Sequence, residues 1–455
     1  TDLNQFRLWY SQAGTPELRI KSSYDAEGNK FKLLIEQNCK ATPNQVNKEP
    51  FYIPLKLGLL NHEGEQLPLI TESGEKDLAP VYDRIYPITK SRQELVFHNI
   101  DSKPIPSLLR NFSAPVKLEY LYTQEELYFL MVHDSDGFNR WNAAQSLASQ
   151  VITSLQSREL DEIDKASTVI SKAFKLILND SLNKKEVDKA MLAHLLELPT
   201  EGALIEQAQL AVVDDIHIAR ESVANFLSAE LKADFAEVFN ANLSEGVFSI
   251  ESEDMARRAL KNISLNYLVR SGDGIWIEKC FHQFTQADNM TDQLAALRLL
   301  MIYSEKHCRE EANQALCMFY DQWKHEPLVV DQWFVTQALY PGEESLERVK
   351  ALCKHQAFDI KNPNKVRSLI GVFSSQNHVQ FHQDGGDGYE FLADSIIQLD
   401  QINPQIAARM MTPLTRWKKF DHKRQALMQA QLQRIKETPS LSKDVFEVAE
   451  KSTVL

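Results

Sequence analysis

Two His-Glu pairs are the residues of this chain whose types come closest to metal-dependent hydrolysis. A zinc hydrolase of this kind needs a second histidine one helical turn after the first, with the glutamate between them activating the metal-bound water. The first pair, His62 and Glu63, is followed by Gln66 where the second histidine should be. The second pair begins at His325 and runs directly into a proline. Neither pair has the spacing of a zinc site.

The glycine-rich segment QDGGDGY, residues 383–389, is the next candidate for chemistry. It lacks the Lys-Ser/Thr of a phosphate-binding loop and the closing glutamate of a calcium loop. An ordinary turn between helices is the better interpretation. No nucleophile or dinucleotide motif occurs elsewhere, so the sequence predicts no catalytic residues.

Two Asn-Pro helix starts place polar side chains beside apolar faces. Asn362 suits a helix N-cap and Pro363 the first helical position. The spacing i, i+3, i+4, i+7 then gives one apolar face, formed by Val366, Leu369, Ile370 and Phe373. Arg367 lies beside that face, about 60° from Ile370 at ~100° per residue, so it is neither plainly core nor plainly solvent.

The second start, at residues 403–404, precedes Gln405 and Arg409. These two are four residues apart and therefore share one helical face. That face flanks an apolar stripe of Ile406, Met410 and Leu414.

The composition is typical of an acidic globular protein. Over 455 residues the formal net charge is −13, with 43% apolar and 25% charged residues. A nucleic-acid partner is not expected, because the chain lacks a dominant basic footprint. Membrane insertion is not expected either, since no stretch approaches the ~20 apolar residues of a spanning helix.

The cysteines and the first residues bear on compartment. Five cysteines are scattered along the chain without a CxxC pair, which predicts reduced thiols in a cytoplasmic protein. The opening TDLNQFRLWY has no secretory pattern, and it resembles the interior of a folded domain, which predicts a fragment of a longer chain.

The character of the sequence changes near residue 122. Before it, short β-forming runs alternate with turn residues, at 18–24, 31–37, 52–60, 94–100 and 116–122. After it, helical apolar periodicity continues almost throughout. We expect a multidomain chain with an antiparallel β-sandwich over residues 1–122. A large all-α, solenoid-like (HEAT/armadillo-like) bowl domain then fills 123–455.

Several segments, which follow one another in the same order along the chain, carry a family resemblance. Those of the first part are WYSQAGTP (9–16), ATPNQ (41–45) and SLLRNFSAPVKLEY (107–120). Those of the helical part are HDSDGFNRWNAAQSL (133–147), ADNMTDQLAAL (287–297), VDQWFVTQ (330–337), NPNKVRSLIG (362–371) and GDGYEFLAD with INPQIAARM (386–410). Together they resemble the C-terminal half of bacterial aminopeptidase N, a zinc-dependent enzyme of the thermolysin-like clan. By this resemblance WYSQAGTP is similar to the first strand of a small β domain, and the next two segments to its later strands.

The resemblance implies a parent enzyme of four parts, in which this chain supplies the small β domain and the helical domain. The HExxH helix and the Gly-x-Met-x-Asn loop of the catalytic domain do not occur here. We therefore expect no bound metal and no peptidase activity in this chain alone, with zinc in the parent's catalytic domain. The implied partners are peptide substrates and the catalytic and N-terminal domains of the same parent chain.

The resemblance also implies substrate-binding residues in a cavity wall that limits access and anchors peptide. Arg367 and Arg409 resemble cavity arginines that contact the peptide beyond the scissile bond. Gln405 resembles a glutamine lining the pocket for the first residue. Guanidinium groups can hold carbonyl oxygens or a terminal carboxylate through charge-assisted hydrogen bonds. From spacing alone, the same arginines could instead make structural ion pairs between helices.

A second function stays open at this point. A stand-alone helical-repeat scaffold or adaptor would bind a protein partner on its concave face without any attached enzyme. A gene that extends upstream into a catalytic half with HExxH would favour the aminopeptidase hypothesis.

Overall fold

The computed structural model describes residues 3–71, 80–156, 161–184, 186–243, 246 and 248–453, with the backbone alone for 161–163. The chain divides into two compact units, which are treated separately. The first comprises Thr1–Gln150 with Lys172–Ile177, and the second comprises Val151–Ser171 with Leu178–Leu455. The domain boundary predicted at residue 122 stays a prediction.

The first unit contains a β-sandwich, which confirms the fold predicted for this part of the chain. Its strands are β1 (Pro16–Asp25), β2 (Lys30–Cys39), β3 (Ile53–Leu60), β4 (Gln66–Leu67), β5 (Asp83–Ile88), β6 (Arg92–His98), β7 (Ile105–Leu108) and β8 (Lys117–Glu119). One sheet has the order β6-β2-β1-β8, and in the other β3 pairs with β4, β5 and β7. The pairings are antiparallel except for the short parallel pairing of β1 with β8.

Alternating side chains of the two sheets build one shared core. In β2 the side chains of Phe31, Leu33 and Ile35 are fully buried, while their neighbours are partly exposed. This period of two is expected for a strand with one covered face. Residues of β3 and β5, including Leu55 and Ile88, join the same cluster. Each such side chain contributes about 1.5–3 kcal/mol when it is fully buried.

Some details of the sandwich differ from the predictions. The segment WYSQAGTP does not form the first strand: Trp9 lies in a helical turn, α1 (Leu8–Ser11), and β1 begins only at Pro16. The segment ATPNQ forms a turn, closed by backbone hydrogen bonds between Thr42 and Gln45. The predicted runs leave out β5, which contains Pro87, and β7, which contains Pro106. Proline alone does not account for this, because Pro54 lies within β3, which was predicted.

A buried arginine joins the end of the sandwich to the helical segment that follows it in the same unit. The Arg110 side chain is 2% exposed and donates to Asp134 Oδ1 at 2.9 Å, Ser107 Oγ at 2.8 Å and Gln66 Oε1 at 3.1 Å. Gly58 leaves room for it, since a β-carbon there would lie 2.6 Å from the Arg110 Cζ. Burial raises the pKa of Asp134 in spite of the opposing charge of Arg110.

Helices make up most of the chain after β8. They are α2 (Gln124–His133), α3 (Gly137–Leu155), α4 (Asp161–Asn183), α5 (Lys189–Leu195), α6 (Glu201–Gln207), α7 (Val213–Glu230), α8 (Lys232–Ala241), α9 (Ser252–Arg270), α10 (Gly274–Gln286), α11 (Met290–Tyr303), α12 (Arg309–Trp323), α13 (Pro327–Ala338), α14 (Ser345–Leu352), α15 (Pro363–Val366), α16 (Val372–Gln376), α17 (His378–Phe381), α18 (Asp387–Asp400), α19 (Pro404–Met410), α20 (Thr412–Thr415), α21 (His422–Lys436) and α22 (Lys443–Thr453). Two π-helical turns, Ser304–Cys308 and Arg367–Gly371, lie within this part of the described chain. Short 3-10 turns lie at Arg110–Phe112 and Trp417–Lys419.

Helices that are consecutive in the chain pack against each other along much of the second unit. Contacts of this kind join α8 with α9, α10 with α11, α11 with α12, and α21 with α22. Such neighbour-to-neighbour packing is typical of helical-repeat architecture, and the predicted solenoid class is confirmed. The bowl shape stays a prediction. No helix in the described part of the chain is both long enough and apolar enough to cross a membrane.

Candidate functional site

Arg367 lies on a helical run that begins as the sequence predicts. The Asn362 side chain accepts a hydrogen bond from the Asn364 N–H at 3.0 Å, and Pro363 occupies the first helical position. The predicted apolar face is buried, with exposures of at most 2% at Val366, Leu369, Ile370 and Phe373. Arg367 itself is exposed.

The run is not a uniform α-helix. Arg367–Gly371 forms a π-helical turn between α15 and α16. Turns of this type are rare, and they occur frequently at functional sites. Apolar spacing does not reveal the turn, because the buried residues still fit a helical period. Arg367 is the first residue of this irregular turn.

Lys365 has a different environment from Arg367, although only two positions separate them. Its side chain is buried and donates to Asp331 Oδ1 and to the Pro327 carbonyl oxygen, each at 2.7 Å. Its ammonium also lies 5.6 Å from the centre of the Phe334 ring. Lys365 therefore holds the start of this run against α13.

Gln405 and Arg409 share one shallow groove. Asn403 caps α19 by accepting from the Ile406 N–H at 3.2 Å, as the second Asn-Pro start predicts. Gln405 and Arg409 are both exposed. The groove has a volume of about 480 Å³, and α22 supplies its other wall through Asp444, Glu447, Val448 and Lys451.

The two Asn-Pro helices touch each other beside these residues. A β-carbon placed on Gly371 would lie 3.6 Å from the Sδ and Cε atoms of Met410, so the π turn and α19 are in contact. Arg367 is not among the residues that line the groove of Arg409. The structure thus places both arginines on adjoining helices without joining them in one pocket.

In the described part of the chain, the guanidinium groups of Arg367 and Arg409 have no counter-ion. Among the residues that the structure describes, none forms a hydrogen bond or an ion pair with the side chain of Arg367 or Arg409. Arg270 and Arg424, by contrast, are each held by carboxylates at 2.8 Å or less. Arg367 and Arg409 are thus available for contacts outside the described chain.

A larger cleft in the second unit was not indicated by the sequence. It has a volume of about 780 Å³ and is lined from six parts of the chain: residues 200–202, 217–221, 266–270, 302–306, 339–341 and 375–379. Of these parts, 217–221 carries the one local signal, since His217, Arg220 and Glu221 follow at i, i+3 and i+4 on α7. Helices are expected almost throughout this part of the chain, but clear apolar periodicity does not mark α6 and α7, which hold this wall.

Coupled charges organise the cleft. His217 Nδ1 lies 2.6 Å from Glu201 Oε1, and this hydrogen bond raises the pKa of His217 although burial opposes it. The Arg270 guanidinium meets both oxygens of Glu221, at 2.7 and 3.2 Å. Burial disfavours the ionised form of Glu221, but its bonds to Arg270 prevail and lower its pKa.

Tyr303 completes this wall of the cleft. Its hydroxyl donates to Asn266 Oδ1 at 2.7 Å, and the Arg270 guanidinium lies 5.3 Å from its ring centre. Burial raises the pKa of Tyr303 to about 12. The tyrosine therefore stays neutral at physiological pH and acts as a hydrogen-bonding wall.

A metal centre does not fit the residues of the described chain. Within that part, no three His, Cys, Asp or Glu side chains come together as ligands. A protein zinc site needs at least three such ligands in close array.

Comparison with known families matches both parts of the chain. The model for a domain of unknown function with an Ig-like fold, DUF3458, matches residues 14–121. The model DUF3458_C, a domain of unknown function described as ARM repeats, matches residues 124–454.

Several relatives are similar over nearly the whole chain. Aminopeptidase N of Escherichia coli K12 is 37% identical over 449 residues, covering 98% of this chain and 50% of the relative. Aminopeptidase N of Haemophilus influenzae is 37% identical over 455 residues, covering 99% and 50%. Aminopeptidase N of Caulobacter vibrioides is 34% identical over 451 residues, with the same coverage. The chain thus spans about half the length of the curated relatives it matches.

A solved structure matches the fold. The crystal structure of Legionella pneumophila aminopeptidase A in complex with aspartic acid superposes with a TM-score of 0.84 at 32% identity. The match covers 99% of this chain and 50% of that one.

Proposed function

Because this chain belongs to the DUF3458 family, as the C-terminal half of aminopeptidase N, we propose that it is the non-catalytic part of a zinc metalloaminopeptidase. The parent enzyme removes N-terminal amino acids from peptides. This half forms a wall of the substrate cavity, limits access to it and anchors the peptide. Zinc is held by the other half, in keeping with the lack of a ligand set among the described residues.

The unpaired arginines carry this proposal. Arg367 and Arg409 are exposed, lie on touching helices, and have no counter-ion among the described residues. A structural ion pair, the alternative left open by the spacing, would leave them engaged within the chain. Free guanidinium groups can instead grip peptide carbonyl oxygens or a carboxylate. Gln405, in the groove of Arg409, lines the pocket for the first residue.

Partners and location follow from the same proposal. The partners are peptide substrates and the catalytic and N-terminal domains of the parent chain. The parent enzyme works in the cytoplasm, where scattered free cysteines such as Cys280 and Cys317 remain reduced. The scaffold hypothesis loses ground, because the matched relatives are named aminopeptidase N and this chain covers about half of the length of each.

The test uses the full-length parent enzyme with Arg367→Ala and Arg409→Ala. Each change should raise KM for a tetrapeptide by about tenfold, the value of one charge-assisted hydrogen bond. Turnover of a single aminoacyl p-nitroanilide should change less than twofold, because that substrate does not reach past the scissile bond.

Arg434→Ala provides the matched control, since that arginine is already paired with Asp394 at 2.6 Å. It should leave both substrates unaffected. Equal losses on the peptide and on the anilide in the Arg367 and Arg409 variants would refute peptide anchoring and support a structural role.

A further inference from the structure

The cleft of about 780 Å³ contains more than a set of structural ion pairs. Each of its three carboxylates already accepts a hydrogen bond from another side chain. Glu201 accepts from His217 and Glu221 from Arg270. Glu305 accepts from Tyr340 and from Arg309. The acidic groups of the cleft thus have partners within the chain.

Several hydrogen-bond donors of the cleft have no hydrogen-bond partner in the described chain. The Lys306 ammonium lies 4.0 Å from Glu221 Oε2, too far for a hydrogen bond, and its side chain is 60% exposed. Within the described chain, no residue makes a hydrogen bond to the side chains of Lys306, Gln376 or His378. All three line the cleft. A surplus of free donors over free acceptors favours an anion.

Lys306 is also presented by an unusual backbone. It lies in the π-helical turn Ser304–Cys308, which interrupts the helical run from α11 to α12. The other π turn of the described chain carries Arg367. π turns are rare and occur frequently at functional sites, so Lys306 lies on a type of backbone that is common at such sites.

Charge balance selects the kind of anion. The lining side chains include three carboxylates, at Glu201, Glu221 and Glu305, and three permanent cations, at Arg220, Arg270 and Lys306. The formal sum is therefore zero, before any charge on His217. A dianionic phosphate normally requires an excess of cations, whereas a single carboxylate matches one ammonium whose single contact with a carboxylate, Glu221 at 4.0 Å, is too long for a hydrogen bond.

Four apolar residues also line the cleft. Ile302, Leu339, Pro341 and Val379 contribute to the walls beside the polar groups. The volume lies within the range of small-molecule sites, about 300–1,000 Å³, which combine apolar walls with few polar groups. A ligand here would carry an apolar body as well as its charge.

We propose that this cleft binds a carboxylate attached to an apolar body, with Lys306 as the group that receives the carboxylate. Two sources present this chemistry: the C-terminus of a peptide and a free apolar amino acid. The site is separate from the groove of Arg409, because the two share no lining residue. It goes beyond the anchoring role proposed for Arg367 and Arg409.

The test is calorimetric titration of the 455-residue chain with paired ligands. N-acetyl-Ala-Ala-Leu as the free acid should bind about tenfold more tightly than its C-terminal amide, which keeps the body and removes the charge. Leucine tests the free amino acid as the source. If the peptide acid binds and free leucine does not, the ligand is a peptide C-terminus. If free leucine also binds, the site accepts free amino acids as well.

Variants locate the binding. Lys306→Met keeps the aliphatic stem and should weaken the acid about tenfold while leaving the amide unchanged. Lys324→Met is the control, since Lys324 is also exposed and pairs with Asp321 outside the cleft. Because both lysines are exposed, neither variant should change the thermal unfolding temperature.

Three results would overturn the proposal. They are equal affinity for acid and amide, equal effects of Lys306→Met and Lys324→Met, or no binding of any ligand. Arg367→Ala and Arg409→Ala should leave the calorimetric difference between acid and amide intact. If they abolish it while Lys306→Met does not, the carboxylate belongs to the anchoring arginines and not to this cleft.

Discussion

Lys365 and Arg367 show how two cations two positions apart can have different environments. Lys365 is buried against Asp331 and a backbone carbonyl, so its charge is satisfied within the protein. Arg367 is exposed, with its guanidinium free of partners among the described residues. Charge and position in a motif are thus insufficient to identify a ligand-binding residue. The decisive observation is whether the charge already has an internal partner.

His217 offers a titration that reports on the cleft directly. Its ring should titrate above the ordinary value of about 6.5, because Glu201 accepts a hydrogen bond from it. Glu201→Gln should move the midpoint to lower pH, as measured by NMR of the ring protons. Stability from this pair is present below the unfolded pKa and is lost as pH rises through the folded pKa.

A nearby exposed pair supplies the control for this titration. Glu197 lies 3.4 Å from His194, and both side chains are more than half exposed. Glu197→Gln should leave the His217 midpoint in place. An unchanged midpoint in Glu201→Gln would show that the hydrogen bond does not hold the proton on His217.

The helix caps could be predicted from the sequence, whereas contacts between residues that are far apart in the chain could not. Asn362 and Asn403 cap their helices as expected, because a cap depends on residues within one turn. The cleft is built from residues as far apart as Glu201 and His378. Nothing in the spacing of one segment reveals that Lys306 and Glu221 come within 4.0 Å of each other.

At the scale of elements, the π turns mark what periodicity cannot predict. The apolar positions of the run from Pro363 to Gln376 fit an ordinary helix, yet its middle is a π turn. The β-strands show a related limit. The strands β1, β2 and β3 follow from alternation and β-forming residues, although β3 contains Pro54. The strands β5 and β7 lack such a signal and are stabilised by pairing with β3. Tertiary pairing overrides local propensity there.

The Arg110 network gives a prediction about the sandwich. Arg110→Met removes the cation beside Asp134 and leaves that carboxyl buried without its partner, which should lower the free energy of unfolding by about 3–5 kcal/mol at pH 7. Burial already raises the pKa of Asp134. Its carboxyl is neutral at low pH, so the loss should shrink as pH falls toward 4. Urea denaturation at both pH values measures this.

An exposed pair of the same kind is the control. Arg19 and Glu119 lie 3.0 Å apart with both side chains 57% exposed. Arg19→Met should change the unfolding free energy by at most about 1 kcal/mol. Similar losses in the two variants, or a loss for Arg110→Met that does not depend on pH, would contradict the role given to Asp134.

At the scale of the whole molecule, the two-part architecture was predictable because composition changes along the chain. Alternating β-forming runs give way to helical periodicity, and this contrast depends on averages over many residues. The same averages do not locate a binding site. Arg367 and Arg409 were selected by family resemblance, and their role as peptide anchors stays a prediction.

The chain alone should lack peptidase activity. With alanyl p-nitroanilide and added zinc, we expect hydrolysis at the rate of buffer, because no described residues form a set of metal ligands. Equilibrium dialysis should find no stoichiometric zinc on the folded chain. The full-length parent assayed in parallel is the positive control. Turnover that scales with chain concentration and stops when zinc is chelated would contradict this prediction.

During synthesis of the chain, Arg110 is made before the residue that neutralises its charge. Its partner Asp134 lies 24 positions further along the chain. A ribosome that adds about 5–20 residues per second needs about 1–5 s to cover that separation. During this interval the nascent sandwich has its cation without the counter-charge. Its final turn must therefore stay hydrated until the polypeptide beyond α2 has left the exit tunnel.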